Sequence, residues 1–386
     1  MQPPYSTCRK AMWGLAAIAL LATCGLRGSA APPAAKNDAS APLPKEIVEA
    51  WTKAGAEVGW TRVGDFQWLP FLHKEEGMAG DLPVFQFPAE PPSPWKEGLL
   101  ARLPAPAAAF GLDFNATQIT DTALKELVGF KNVQSLCLLG TPVTDEGLKQ
   151  LANLKDLKAL ALSNTKVTDK GLRELAGLTN VQALYLGDTQ VTNAGLKQLA
   201  GMKNLRTLHL GWSQVTDAGL KELAGLKDLQ TLYMEDAKVT GPGLKDLAGL
   251  TNLRNLYLTS TKVTDVGLKG LAGLKLKKLA IPPEAQTDLG LKHYLAALEP
   301  PTTLDLSRWK VTDVGLKQLA GLKQLQSLDL KNLEVTDVGL KELAGLTSLQ
   351  MLQITSPKVT DAGLKQLAGL TNLQELWLSG IQVTDA

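Results

Sequence analysis

The chain is governed by one phrase, close to V-T-D-x-G-L-K-x-L-A-G-L, that returns at a fixed step. Its threonine stands at Thr120, Thr144, Thr168, Thr192, Thr216, Thr240 and Thr264, each 24 residues after the last. It returns one residue early at Thr287, and then at Thr312, Thr336, Thr360 and Thr384. A unit this short cannot bury an apolar face by itself; it does so only against its neighbours, so the expected fold is a solenoid. A solenoid is a surface first, and a catalytic pocket only if something is added to it.

Residues 157–178 show what one unit can form. Leu157, Leu160 and Leu162 give L-x-x-L-x-L. Leu160 and Leu162 alternate with Ala161, so they face one side of a short strand and Ala161 faces the other. A turn through Ser163, Asn164 and Thr165 follows, and Val167 returns to the core. Asp169 stands where a helix N-cap is expected, and Leu172, Leu175 and Leu178 recur at helical spacing. In the Thr240 unit Gly241-Pro242 replaces the Asp. Gly is accepted at an N-cap and Pro at the first helical position, so the helix start is expected to stay in place.

This pattern resembles leucine-rich repeats, in the V/I-T-D-x-G-L-x-x-L form of many exported bacterial arrays. It is also similar to the cysteine-containing repeats of F-box adaptors, but no F-box-like segment precedes it. Those repeats carry Cys where this chain has Thr117, Thr141, Thr165, Thr189, Ser213 and Thr261. The resemblance covers residues 109–386 and implies an α/β fold: a leucine-rich-repeat solenoid with a right-handed arc. Parallel strands would line the concave face and short helices the convex face. Twelve strands at about 4.8 Å would make a sheet on the order of 50 Å long, beginning at Gly111–Phe114.

Two features vary along the array. The inward Thr column, expected to bond the backbone of neighbouring turns, becomes Trp309, Leu333, Pro357 and Ile381 in the later units. Register also breaks over residues 275–309, where Pro282-Pro283 and Pro300-Pro301 remove ladder donors. This reads either as a bulge in a drifting repeat or as a kink between two binding segments. After Leu376 and Leu378 the sequence stops at Ala386 with no capping unit. That leaves three readings: a fragment, an edge that pairs with another molecule, or a frayed end.

The remaining domains follow from composition. Residues 1–30 read as a signal peptide, with Arg9 and Lys10 ahead of the apolar stretch Ala11–Ala22, which is too short to span a bilayer. Cleavage near Ala30 competes with a lipobox-like Leu21-Ala22-Thr23-Cys24, which would lipidate Cys24 and attach the protein to a membrane. Either reading places the mature protein outside the cytoplasm: secreted, periplasmic or anchored on the envelope. Residues 31–44 form an Ala/Pro-rich linker. Residues 45–108 hold four of the eight tryptophans and suit an N-terminal cap region, with a helix over Lys45–Val58 and strands within 59–88. A small ligand-binding module is the other reading of that region.

A net charge of +2 gives no general case for nucleic acid. Cys8, Cys24 and Cys137 cannot make a disulfide framework once the leader is removed. His73, His209 and His293 lie far apart, and no metal-ligand spacing occurs, so neither a metal nor a cofactor is expected. An enzyme needs a nucleophile, a base and an orienting group in one place. Cys137 is three rungs from His209, roughly 14 Å by strand spacing. Catalysis is therefore not expected, unless in the N-terminal region or in a part the sequence lacks.

A non-catalytic binding module is the reading that remains, and the concave column between the paired leucines is where it would act. That column reads Cys137, Ala161, Tyr185, His209, Tyr233, Tyr257, Ala280, Asp305, Asp329, Gln353 and Trp377. Tyr185, His209, Tyr233 and Tyr257, with Trp212, Glu235 and Asp236 beside them, would form an exposed stripe able to bind a protein segment or a glycan. The flanking Ala183, Thr207 and Thr231 would leave the rings accessible. An alternative uses the outer basic column (Lys125, Lys149, Arg173, Lys197, Lys221, Lys245, Lys269, Lys292, Lys317, Lys341, Lys365) to dock an envelope protein on anionic surfaces.

Overall fold

The computed structural model describes residues 43–62, 81–89, 95–382 and 384. The leader with Cys24, most of the linker, and His73 lie outside the described residues. Two antiparallel strands come first, β1 (Glu57–Arg62) and β2 (Asp81–Gln86), and β2 pairs in parallel with β3 (Phe110–Asp113). The repeat strands follow in chain order: β4 (Val133–Cys137), β5 (Ala159–Ala161), β6 (Ala183–Tyr185), β7 (Thr207–His209), β8 (Thr231–Tyr233), β9 (Asn255–Tyr257) and β10 (Lys278–Ala280). All pair in parallel with their sequence neighbours. A second sheet holds β11 (Thr303–Asp305), β12 (Ser327–Lys331), β13 (Met351–Thr355) and β14 (Glu375–Ser379).

Within a unit the leucines behave as their spacing requires. Leu160, Leu162, Val167, Leu172 and Leu175 are fully buried. Each such side chain contributes roughly 1.5–3 kcal/mol by leaving water. Because equivalent leucines sit in register, the core is continuous from rung to rung.

The polar letters of the phrase have a different job from the one their sequence context suggests. Thr168, not Asp169, is the N-cap: it is extended at φ −120°, and its Oγ1 accepts the Lys170 amide. Asp169 is the first helical residue, and its carboxylate accepts the Thr192 amide at 2.8 Å and the Thr192 hydroxyl at 2.6 Å, in the next rung. The same clamp joins Asp121 to Thr144, Asp145 to Thr168, Asp288 to Thr312, Asp313 to Thr336 and Asp337 to Thr360. The glycine of the phrase makes room for it. A Cβ on Gly195 would stand 2.3 Å from Asp169 Oδ1, and one on Gly339 2.2 Å from Asp313 Oδ1. The bonds from Thr360 hold the Asp337 carboxyl below its ordinary value.

Three units depart from this scheme; in the Thr264 unit the helix starts only at Gly267, behind Val266. Asn193 replaces the Asp, and its amide donates to Thr216 Oγ1; Thr216 then makes no side-chain cap bond. In the next unit but one, Gly241 becomes the cap at φ +128° with Pro242 behind it, so the helix starts one residue later than in the Thr168 unit. Its Cα stands where a Cβ of Gly267 would go, 2.7 Å away, so the two backbones meet directly.

The inward Thr column bonds within its own unit, not between turns: Thr141, Thr165, Thr189 and Thr261 donate to the carbonyl three residues earlier. In the later units Leu333 is buried, but Pro357 is exposed and Ser356 turns inward, donating to Val335 O.

The long continuous sheet expected from the repeat does not form. It divides between β10 and β11, where Pro300 and Pro301 cannot donate to a ladder. The leucine core divides with it, and Tyr294 and Trp309, edge to face at 5.1 Å, touch both parts.

Ahead of the repeats, a helix covers only Lys45–Lys53, because the chain turns at Gly55 (φ +99°) and enters β1. Trp51 stacks on Phe85 at 4.2 Å and donates its indole N–H to Pro104 O. Phe87 stacks on Phe114 at 5.4 Å. This aromatic cluster closes the first end of the leucine core.

Candidate functional site

Strands β6 to β9 bring Tyr185, His209, Tyr233 and Tyr257 side by side, because each strand pairs with the next in strict register. The rings stack in a row. Centroids are 6.4 Å apart for Tyr185 and His209, 5.4 Å for His209 and Tyr233, and 4.5 Å for Tyr233 and Tyr257, with the last pair tilted only 12°.

The row is not an exposed stripe. The four side chains are 4%, 5%, 3% and 7% exposed. Ala183 and Thr207, which were to leave the rings accessible, are buried as well. Period-two alternation places these residues off the leucine core, and it does so correctly. It cannot show that each ring covers the face of the next. Burial sets their electrostatics. It pushes the Tyr185 phenol up to about 12 and the Tyr233 phenol up strongly, and it lowers the His209 imidazole to about 4, leaving it neutral at physiological pH.

What reaches solvent lies one step further along. Trp212 is 40% exposed and stacks on His209 at 6.1 Å from a turn residue with φ +54°. Glu235 is half-buried, and its Oε2 has no hydrogen-bond partner among the described residues. Burial first, then the nearby Asp236 charge, raise its carboxyl to about 7.

Two glycines that the repeat pattern passes over shape this place. A Cβ on Gly187 would stand 2.4 Å from His209 Nδ1. One on Gly211 would lie 3.0 Å from His209 Cε1 and 3.4 Å from Glu235 Oε2. Their signal was available: they fill the second strand column, which carries larger side chains at Leu139, Ser163, Thr259 and Lys331.

Cys137 lies three strands from His209, in a buried cluster with Ala159, Ala161, Ala183 and Tyr185. Its thiol is buried, and burial together with the Asp113 charge pushes it well up, away from the nucleophilic thiolate. Gln86 donates to Asp113 Oδ2 at 2.9 Å. No group of three or more His, Cys, Asp or Glu among the described residues could hold a metal ion.

The family model described as "Leucine Rich repeat" matches residues 153–176, 201–224 and 249–272. A leucine-rich repeat protein of Leptospira interrogans aligns over 78% of this chain and 71% of its own, with 23% identity and a TM-score of 0.51. Internalin C2 of Listeria monocytogenes is 33% identical over 52% of this chain and 80% of its own, at a TM-score of 0.43. The chain is a leucine-rich repeat protein. A second Listeria internalin matches 78% of this leucine-rich repeat chain and 82% of its own, with 23% identity and a TM-score of 0.47. No curated protein matches the sequence.

Proposed function

We propose that this leucine-rich repeat protein is a non-catalytic, exported binding module. It would hold a protein partner on its strand face around Trp212, Glu235 and Asp236. Leucine-rich repeat proteins typically act as protein-interaction modules. The observation that carries the site is the packed row beneath it: Tyr185, His209, Tyr233 and Tyr257 form a rigid floor, and Trp212 and the unsatisfied Glu235 oxygen stand at its edge. Aromatic anchors on a preorganised base are what interface hot spots require. A buried carboxyl oxygen without a partner gains most from a donor brought by a ligand. A protein segment suits this better than a glycan, because the tyrosine faces already stack on one another. Export rests on the Arg9–Lys10 and Ala11–Ala22 leader, with Cys24 as the lipidation candidate.

The test is affinity capture from an envelope extract, comparing wild type with Trp212→Ala/Glu235→Gln. A protein held by wild type and lost from the double variant, with the variant still unfolding in a single cooperative transition above the assay temperature, supports the reading. Equal capture by both proteins would sink it.

A further inference from the structure

Two columns on the helix side change character together, starting at the rung that opens with Thr264. The first is the residue after the clamp position, which is exposed in every rung. It reads Thr122, Glu146, Lys170, Ala194, Ala218 and Pro242, and then Val266, Leu289, Val314, Val338 and Ala362. Val266, Leu289, Val314 and Val338 are 63%, 41%, 61% and 66% exposed, among the most open large apolar residues described.

The second column is the residue that follows the exposed basic one. Four of the six early rungs place an acid there, Glu126, Glu174, Glu222 and Asp246, and the other two have Gln150 and Gln198. Lys149 instead pairs with Glu146 at 2.7 Å. Later rungs have Gly270, His293, Gln318 and Gln366, with Glu342 the one acid. The lysines themselves continue, exposed, at Lys269, Lys292, Lys317, Lys341 and Lys365. Each lies three residues after the apolar position, on the same face of its helical turn. The aspartates next to the valines are already held: Asp265 by Thr287, Asp288 by Thr312, Asp313 by Thr336 and Asp337 by Thr360. The result is an apolar row beside a row of lysines whose acidic partners are largely gone.

We propose that this strip, from Val266 to Lys365, docks on the surface of an anionic lipid bilayer. The lysines would lie at the headgroups, and the valines with Leu289 at the boundary beneath them. Charge complementarity gives the sign of the partner, and the exposed apolar row gives it a hydrocarbon layer. Uniformity favours a membrane over a protein groove. Four successive rungs pair an exposed Val or Leu with a Lys, and the fifth pairs Ala362 with Lys365, whereas protein hot spots use distinctive Trp, Tyr or Arg anchors, and this strip has none. Amphipathic surfaces with Lys on the polar side bind interfaces by the same combination. The surface is separate from the strand face, so each can fail without the other.

The experiment measures cosedimentation of the full-length protein with vesicles of phosphatidylglycerol and phosphatidylcholine, reading differences from wild type so that any contribution of the N-terminal segment cancels. Lys292→Gln/Lys317→Gln, neither followed by an acid, is expected to weaken binding by about 25-fold, at about fivefold per lysine. Val314→Ser/Val338→Ser is expected to weaken it by at least about tenfold and to remove what survives in high salt. Lys125→Gln/Lys221→Gln, in the early rungs where an acid follows each lysine, should change it less than twofold. All of these residues are exposed, so melting curves should match wild type. The proposal is overturned by any of three results: equal binding to phosphatidylcholine alone, equal loss from the two lysine pairs, or tight binding to dextran sulfate that ignores Val314→Ser/Val338→Ser. The last would make the strip a site for an anionic polymer. A single apolar protein captured in place of vesicles would overturn it as well.

Discussion

Between Asp113 and Tyr257 the residue between the paired leucines is buried, and its rings stack from rung to rung. Between Asp305 and Trp377 the same position is half-buried or open, reaching 60% exposure at Trp377. The core letters are alike in both stretches, and the Asp–Thr clamp is made in both. The scaffold therefore does not decide whether this face is sealed. Neighbouring side chains decide it: like rings in successive rungs exclude water, while Asp305, Asp329 and Gln353 do not.

The sharpest way to break this comparison is truncation at equivalent positions. Tyr233→Ala should cost about 3–5 kcal/mol in urea unfolding, as for other buried aromatics, whereas Gln353→Ala should cost less than about 0.5 kcal/mol. Similar losses at both would mean the row is not packed as described.

Titration gives the next largest effect. His209 is lowered to about 4 by burial, against about 6.5 when unfolded. The unfolded chain therefore takes up a proton first as pH falls. Stability attributable to His209 is intact above pH 6.5 and is lost progressively down to pH 4, by up to about 3 kcal/mol. Glu235 runs the other way: with its carboxyl raised to about 7, stability is greatest below pH 4.5 and declines as pH rises to 7. Melting temperatures of wild type, His209→Gln and Glu235→Gln across pH 4–8 separate the two slopes. If all three profiles run parallel, neither group is buried as described.

The clamp should erase the difference between the two stretches. Asp169→Ala and Asp337→Ala should each cost about 1–3 kcal/mol, because each strands the Thr amide of the next rung. A loss at one position and not the other would mean the clamp is not shared by the early and later rungs.

The leucine core and the strand face were legible because identical letters at fixed spacing can only stack. The clamp was not: Asp169 looks like the cap of its own helix, and its partner Thr192 lies 23 residues away. The burial of Tyr185 and Tyr257 was hidden for a related reason, since periodicity assigns a face but not the shielding a neighbour provides. The division between β10 and β11 was announced by Pro300-Pro301, where missing N–H groups are written in the sequence itself. Gly187 and Gly211 stand out in the sequence as gaps in a column of larger side chains, but the column does not say which ring leans over them.

Each unit with an acidic clamp position offers a carboxylate on its leading side and a threonine on its trailing side, so such units mate as socket and plug. Copying a block of DNA that encodes one unit would thus yield a protein whose new junctions already fit, with no compensating change elsewhere. The Gly241 unit marks a seam. Where Gly241 takes the place of the acid, Thr264 has no carboxylate bond among the described residues, and Gly241 abuts Gly267 instead. At that joint the array is spliced by bare backbone, and the valine-and-lysine strip begins immediately beyond it.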